Sequence, residues 1–282
     1  MSISTAPAPL ATKAPEAQAP AAEAPPKGNR FGSWLIFLMG ALYFLIPLAA
    51  TFYWSLRAEK GRLGFEAYRR LFADTNFLPA FIESIVNAIA AIFLSLLIIV
   101  PTAYWVRLRM PKLRPVVEFI TLLPFVIPAV VLVFGIIRLY SRPPLLLTAT
   151  YESSRVVLVC VYAALSFPYM FRSVDNGLRA IDVRTLTEAA QSLGANWFVI
   201  IREVIFPNLR VALLSGALLT FAIVLGELTV ALFMAQHTLG PYMANLTRSK
   251  VYEPSAMAIV AFAITWAAMG MIAYISRERK RQ

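Results

Sequence analysis

The sequence predicts an all-α membrane protein with six transmembrane helices. Of its 282 residues, 59% are hydrophobic, whereas soluble domains contain roughly 45–50% apolar residues. The apolar residues are gathered in runs close to the ~20 residues that cross the hydrocarbon core of a bilayer. Basic residues cluster at the ends of these runs, as the positive-inside rule expects. The predicted spans cover about residues 34–54, 80–106, 115–139, 156–170, 211–234 and 256–275.

The first 30 residues are rich in alanine and proline and carry few large apolar side chains. Such a segment buries too little surface to offset the entropy of folding, so we expect residues 1–30 to form a disordered cytoplasmic tail. A signal peptide is not expected, because the first apolar run begins only at Trp34. Residues 31–276 form the predicted transmembrane domain, and residues 277–282 a basic cytoplasmic C-terminus.

The fourth predicted span is the shortest, and it contains Pro168. A membrane helix tolerates proline when neighbouring groups satisfy the carbonyl that proline leaves free. Most of the 26 lysines and arginines fall in the tail, the C-terminus and the loops that follow the second and fourth spans. A smaller basic group lies between the first two spans. The bias predicts that both termini and the loop at 172–210 face the cytoplasm.

Several functional classes are excluded by residue usage. The single histidine excludes multi-histidine metal sites, and the single cysteine excludes an intrachain disulfide. The chain has no P-loop pattern, so ATP would have to be bound by another subunit. The net charge of +11 does not indicate nucleic acid, because no basic stripe interleaved with aromatic residues occurs. We therefore expect neither an enzyme nor a resident metal or cofactor.

The loop at 172–210 is the most polar segment between two spans. Thr185 and Glu188 fit a capping box, and Gly194 fits a helix C-cap. An apolar stripe at helical spacing is predicted from Leu186, Ala189, Ala190 and Leu193. Asn196 can cap a second helix, which Pro207 should break before the fifth span. From the pattern alone, the segment is either a docking surface for a cytosolic protein or an amphipathic helix lying on lipid.

This segment resembles the EAA loop of permease subunits of binding-protein-dependent ABC importers. That pattern is Glu-Ala-Ala, three residues, Gly, nine residues and Ile-x-Leu-Pro. The residues that match in register are Glu188, Ala189, Ala190, Gly194 and Pro207. Val204 and Phe206 replace the usual Ile and Leu, which are apolar exchanges. The resemblance covers about residues 30–282 and implies the type I importer permease fold, also called MetI-like.

The resemblance implies a coupling helix at 188–194 that binds a cytoplasmic ABC ATPase dimer, with ATP bound by the ATPase subunits. It also implies a sister permease subunit, most commonly in a heterodimer, and a periplasmic solute-binding protein that delivers the solute. The expected location is the bacterial inner membrane, with several spans and both termini in the cytoplasm. Coupling to an ATPase would distinguish this class from an ion-driven secondary transporter, in which internal repeats are expected, and from a membrane enzyme.

Ionisable residues within spans are costly and are candidates for function. Glu227, beside Gly226, lies in the predicted fifth span, and Glu83 lies near the outer end of the second. Each either lines the substrate pathway or has a structural or interfacial role. The overall pattern resembles spermidine and putrescine permeases, and a buried carboxylate suits a polycation. The same Gly-Glu pair occurs in relatives that carry other solutes, so aminoethylphosphonate, ferric iron and sulfate remain alternatives.

Overall fold

The computed structural model describes residues 30–59 and 62–278, and almost all of the predicted tail and the end of the basic C-terminus lie outside these ranges. Over the described residues the chain is helical, apart from turns and an isolated bridge between Glu59 and Arg62. The described chain divides into two units, with the division after Pro47. The first described helix, α1 (Arg30–Ser55), begins in the first unit and ends in the second.

The other α-helices of the described chain follow one another through short connections. They are α2 (Glu66–Ala73), α3 (Phe77–Leu108), α4 (Arg114–Val126), α5 (Ala129–Tyr140), α6 (Tyr151–Ala180), α7 (Val183–Ser192), α8 (Trp197–Val199), α9 (Phe206–Gly226), α10 (Thr229–Phe233), α11 (Leu239–Ser249) and α12 (Glu253–Glu278). A π-helical segment (Ile200–Ile205) joins α8 to α9, so that Trp197–Gly226 is one continuous helical stretch.

Four stretches of the described chain are long and apolar enough to cross a membrane. They are Gly32–Ala58, Phe77–Leu108, Tyr151–Ala180 and Trp197–Gly226. The pair α4 and α5 would give a fifth if it is one broken span, while the apolar part of the last helix, Glu253–Ala267, is shorter than the rest. The predicted all-helical membrane class is confirmed, and the count of six spans remains a prediction.

The third predicted span is not a continuous helix. Its two halves, Pro111–Val126 and Ala129–Tyr140, meet at an angle of 97°. Pro128 has no N–H to donate, and its ring disfavours the helical conformation for the residue before it. Ile127 is accordingly extended, with φ −85° and ψ 119°. The prediction of one helix over 115–139 is wrong because hydropathy does not register this backbone restriction.

The fourth and fifth spans have boundaries that differ from the prediction. The fourth runs over the 30 residues of α6, with Pro168 inside it, because the helix continues into polar turns beyond the apolar run. The fifth begins at Trp197 rather than near residue 211. It also ends earlier, at Gly226, where Glu227 takes an extended backbone with φ −78° and ψ 122°.

The expectation that Pro207 breaks the helix before the fifth span is wrong. Pro207 lies at the start of α9, directly after the π-helical segment. There the Phe206 N–H bonds to the Ile201 carbonyl, five residues back. In an α-helix a proline ring clashes with the carbonyl four residues earlier. The wider π turn relieves that clash, so the helix passes through the proline.

Helices α6 and α9 make the most extensive helix–helix contact among the described residues. A Cβ added at Gly177 would lie 2.6 Å from the Cβ of Ala212, and one at Gly216 would lie 2.6 Å from the Met170 sulfur. The Ser173 hydroxyl donates to the Ala212 carbonyl at 2.6 Å. Small residues at such crossings let two backbones approach closely within a membrane. Helix α3 packs on both, and together the three form the core of the bundle.

Candidate functional site

Helix α7 lies within the predicted docking segment, and its N-cap is Asp182 rather than Thr185. The Asp182 carboxylate accepts hydrogen bonds from the Thr185 hydroxyl at 2.7 Å and from the Thr185 N–H at 3.2 Å. These bonds lower the pKa of the Asp182 carboxyl below its usual value. The predicted capping box at Thr185 is therefore wrong. The N-cap lies three residues earlier, directly after the extended residue Ile181.

The buried face of α7 is formed by Val183, Thr187 and Ala190. This face is rotated relative to the predicted apolar stripe, because the buried Thr187 hydroxyl bonds to Tyr104 of α3. Ala189 is exposed, and Leu193 is 89% exposed. Of the predicted stripe, only Ala190 is fully buried, with Leu186 half-buried. The two neighbouring alanines thus face opposite environments.

Helix α7 is fixed to the membrane bundle through Tyr104 of α3. The Thr187 hydroxyl donates to the Val183 carbonyl at 2.7 Å. Its single hydrogen is thereby used, so the Tyr104 hydroxyl is the donor in the 2.8 Å bond that joins the two side chains. The ring of Tyr104 also packs on Trp197, with ring centroids 4.9 Å apart. The helix is anchored by its buried face and leaves the opposite face free.

A tight turn follows α7 and is centred on Gly194, whose φ of +80° suits glycine. The Gly194 N–H donates to the Gln191 carbonyl at 2.9 Å, and the Ala195 N–H to the Ala190 carbonyl at 3.0 Å. A Cβ at Gly194 would meet nothing within 4 Å, so the turn requires glycine for its backbone and not for space. The Asn196 side chain then caps the next helix by accepting from the Val199 N–H at 3.0 Å. The C-cap geometry and the Asn196 cap agree with the prediction.

The free face of α7, called here the α7 outer face, comprises Arg184, Glu188, Ala189, Ser192 and Leu193. Glu188 is 62% exposed on its side chain and accepts from Arg184 Nε at 2.8 Å, one helical turn away. Phe198, at the start of the next helix, is 70% exposed. This surface combines small, apolar and paired charged side chains, which suits a protein partner.

Glu227 lies at the break between α9 and α10, and not well inside a span as predicted. Its carboxylate accepts from the Val230 N–H at 3.0 and 3.1 Å and from the Ala231 N–H at 3.3 Å. The first N–H groups of a helix lack partners within that helix, and a carboxylate satisfies them well. Glu227 therefore has a structural role as the cap of α10. Hydropathy alone could not reveal it, since the residues on both sides of the break are apolar.

The start of α11 packs directly against this break. A Cβ at Gly240 would lie 2.5 Å from the Glu227 carbonyl oxygen, whereas one at Gly226 would meet nothing within 4 Å. The Leu239 N–H donates to the Ser84 hydroxyl at 2.8 Å. The start of α11 therefore joins Glu227 to the part of α3 that carries Glu83.

Glu83 accepts a hydrogen bond from the Tyr151 hydroxyl, which also accepts from the His237 N–H at 3.4 Å. Glu83 lines a cavity of about 680 Å³ together with Asp74, His237 and Tyr242. No sequence pattern predicts the contact between Glu83 and Tyr151, which are 68 residues apart. Glu83 is about 30 Å along α3 from Tyr104, at 1.5 Å per residue. The pathway candidates and the α7 outer face therefore lie at opposite ends of the bundle.

Comparisons with known proteins place the chain in one family, whose members are named for different solutes. The family model described as the binding-protein-dependent transport system inner membrane component matches residues 95–282. A Haloferax volcanii protein named as a probable molybdenum ABC transporter permease is 29% identical over 203 residues, 70% of each chain. The Mycoplasma genitalium spermidine/putrescine transport system permease protein PotB homolog is 27% identical over 231 residues, 76% of this chain and 79% of its own.

The fold itself has a counterpart among solved structures. A chain of the bacterial alginate ABC transporter, solved with a periplasmic protein bound to an alginate pentasaccharide, superposes with a TM-score of 0.68. The alignment covers 88% of this chain and 94% of that chain at 15% sequence identity.

Proposed function

Because the chain belongs to the family of binding-protein-dependent transport system inner membrane components, we propose that its α7 outer face binds a cytoplasmic ABC ATPase dimer. The chain is an ABC importer permease for a small solute and is not an enzyme. In the proposed assembly it pairs with a sister permease, most simply as a heterodimer. It receives solute from a periplasmic binding protein and lies in a bacterial inner membrane with both termini in the cytoplasm.

The observation that supports docking is the contrast between the two faces of α7. The buried face is hydrogen-bonded to α3 through Thr187. This bond opposes a rotation of the helix about its axis that would bury the other face. The outer face carries the Arg184–Glu188 ion pair and the small Ala189, with Leu193 as its large apolar group. A helix that lies on lipid would present a broad stripe of large apolar side chains instead. A shallow, mixed surface of this kind favours a protein groove over a lipid surface.

The position of α7 allows force applied to it to reach three spans. Only Ile181 and Asp182 separate it from α6, and the Gly194 turn leads into the Trp197–Gly226 helix. The hydrogen bond between Thr187 and Tyr104 connects α7 to α3 as well. In the proposed mechanism, closure of the two ATPase subunits on ATP displaces α7. The three spans move with it and open the permease alternately to the two sides of the membrane.

For the solute, we propose a polyamine such as spermidine or putrescine. The similarity to the spermidine/putrescine permease homolog supports this choice, as do the carboxylates Glu83 and Glu227 at the end opposite α7. A polycation would offset the cost of placing these carboxylates near the membrane. The molybdenum relative supports an oxyanion as an alternative. Aminoethylphosphonate, ferric iron and sulfate also remain alternatives.

The test is to purify the chain with the proteins encoded beside it and to measure ATP hydrolysis in proteoliposomes. Binding proteins would be added either empty or loaded with spermidine, molybdate or sulfate. Stimulation by the spermidine-loaded protein alone is expected. Stimulation only by an oxyanion-loaded protein would keep the importer assembly and replace the polyamine. Failure of any ATPase subunit to co-purify would contradict the docking assignment.

A further inference from the structure

Asp175 of α6 lies at the centre of a cluster of three arginines near the end of the bundle that carries α7. Arg114 Nη2 and Arg179 Nη2 each lie 2.8 Å from Asp175 Oδ2, and Arg107 Nη1 lies 4.0 Å from Oδ1. The Asp175 side chain is 10% exposed. The arginines come from the end of α3, the start of α4 and one turn further along α6, so the cluster joins three helices.

The charges in this cluster do not balance. One carboxylate faces three guanidinium groups, and arginine stays protonated at any ordinary pH. The nearby Arg184 and Asp182 belong to α7, where Arg184 is paired with Glu188 and Asp182 caps the helix. Partly desolvated positive charge is costly unless a counter-charge is close. The cluster is therefore short of negative charge.

An open space lies directly beside the cluster. A cavity of about 530 Å³ is lined by Arg107, Arg114 and Asp175, together with Asp182 and Arg184 at the start of α7. The Nε of Arg114 is buried and has no hydrogen-bond partner among the described residues. An unpaired buried donor carries a desolvation cost, so the contact with Asp175 leaves the Arg114 guanidinium incompletely satisfied. The volume is within the range of about 300–1,000 Å³ that is typical of small-ligand sites.

We propose that this cavity binds a phosphate-bearing anion, held by Arg114 and Arg107. The planar arginine fork matches phosphate oxygens in pairs. Basic pockets between transmembrane helices on the cytoplasmic side characteristically receive acidic lipid headgroups. The chemistry also suits inorganic phosphate or another soluble phosphate. Because the cavity touches the start of α7, the bound anion would stiffen the joint between α6 and the docking helix. This site goes beyond the proposed transport function, and its binding can be measured without an ATPase or a transported solute.

The test uses the full-length chain in phosphatidylcholine nanodiscs with two probes, inorganic phosphate and phosphatidylglycerol. Calorimetry measures binding of phosphate, and native mass spectrometry measures how much phosphatidylglycerol the released protein retains. Arg114→Gln should weaken binding about tenfold, the loss of one charge-assisted hydrogen bond. Asp175→Asn should strengthen binding, because it removes the competing carboxylate. Arg172→Gln, which changes an exposed arginine of the same helix, should change nothing.

The two probes distinguish the source of the anion. If the protein retains phosphatidylglycerol but does not bind inorganic phosphate, and the variants rank as expected, the anion is a lipid headgroup. If it binds inorganic phosphate, the anion is a soluble ligand. If Arg114→Gln fails to fold, Arg107→Gln supplies the same test, since its bridge to Asp175 is the longest of the three. Equal binding by the wild type, the arginine variant and Asp175→Asn, or binding of neither probe, would overturn the proposal.

Discussion

The hydroxyl groups of Tyr104 and Thr187 lie 2.8 Å apart, and this bond joins the middle of α7 to membrane helix α3. Tyr104→Phe should keep the ring packing on Trp197 and remove only the hydrogen bond, at a cost of about 0.5–1.5 kcal/mol. We expect the ATPase to co-purify normally while less solute is transported per ATP hydrolysed.

The matched control for this change is Tyr68→Phe. Tyr68 makes a bond of the same 2.8 Å length to Ser55, away from α7, and its loss should leave the transport ratio unchanged. The measurement is paired uptake and ATP hydrolysis in proteoliposomes. Equal ratios in the wild type and both variants would show that the bond carries no coupling.

Gly194 should tolerate asparagine better than residues that disfavour a positive φ. Its φ is +80° with open space around it, so the penalty for other residues is the left-handed backbone, about 1–2 kcal/mol. Gly194→Asn should retain ATPase co-purification, and Gly194→Val should weaken it. Gly194→Glu should abolish it, because a charged side chain adds to the strain beside Leu193. Pull-down of the ATPase from membranes measures the series, and full binding by Gly194→Glu would remove this turn from the docking surface.

The adjacent alanines should respond in opposite ways. Ala189 is exposed on the α7 outer face, so Ala189→Glu should leave the melting temperature unchanged and abolish ATPase binding. Ala190 is buried, so Ala190→Leu should overpack the site and destabilise the chain by about 1–3 kcal/mol. Thermal unfolding and pull-down distinguish the two effects. Normal ATPase binding by Ala189→Glu would refute docking at this face.

Two substitutions of Glu227 distinguish the role of its negative charge from its role in capping α10. Glu227→Gln keeps an oxygen that can accept from the Val230 N–H, so stability should change little while uptake of a cationic solute falls. Glu227→Ala removes the cap as well and should cost about 1 kcal/mol. Radiolabelled spermidine uptake and thermal unfolding measure the two variants. If Glu227→Gln transports like the wild type, the carboxylate has only its structural role.

Acidification should weaken a contact at the end of the bundle opposite α7. Asp74 accepts from the Asn76 N–H at 2.9 Å and from the Tyr242 hydroxyl at 3.0 Å, and the backbone bond is the main reason that the pKa of this carboxyl is lowered. A lowered folded-state pKa gives stability that is complete above the unfolded pKa and is lost as the pH falls through the folded value.

The melting-temperature difference between the wild type and Asp74→Asn should therefore be constant at neutral pH. It should shrink below about pH 4, the ordinary pKa of aspartate. Thermal unfolding of both chains across this range provides the measurement. A difference that persists unchanged at the lowest pH would show that the Asp74 charge contributes nothing to the contact.

Local backbone chemistry was predictable from the sequence, and choices made by packing were not. Gly194 and Asn196 were identified correctly because a positive φ and a side-chain cap depend on a few neighbouring residues. The start of α7 was misplaced because Asp182 and Thr185 both make good caps. The choice between them depends on which helix face meets Tyr104, which lies 83 positions before its partner Thr187.

The prolines show the same limit. Pro168 lies inside α6 and Pro207 lies in the continuous Trp197–Gly226 helix, yet Pro128 separates α4 from α5. Pro128 and Pro168 both lie in apolar runs, so composition does not distinguish the proline that ends a helix from the one that does not. What differs is whether the backbone around the proline can adjust, as the π turn before Pro207 does. Whether the backbone can adjust depends on tertiary contacts. The helix break at Glu227 depends on such contacts too, and so it could not be predicted from the sequence.

The glycine contacts at Gly177 and Gly216 limit how this molecule can change shape. With backbones this close, a slide of one helix along the other would drive the Ala212 methyl group or the Met170 sulfur into main-chain atoms. The α6–α9 pair is thus expected to move as one rigid body, because the two helices cannot slide along each other. A displacement that a partner imposes at one end of this helix pair must therefore be transmitted in full to its other end.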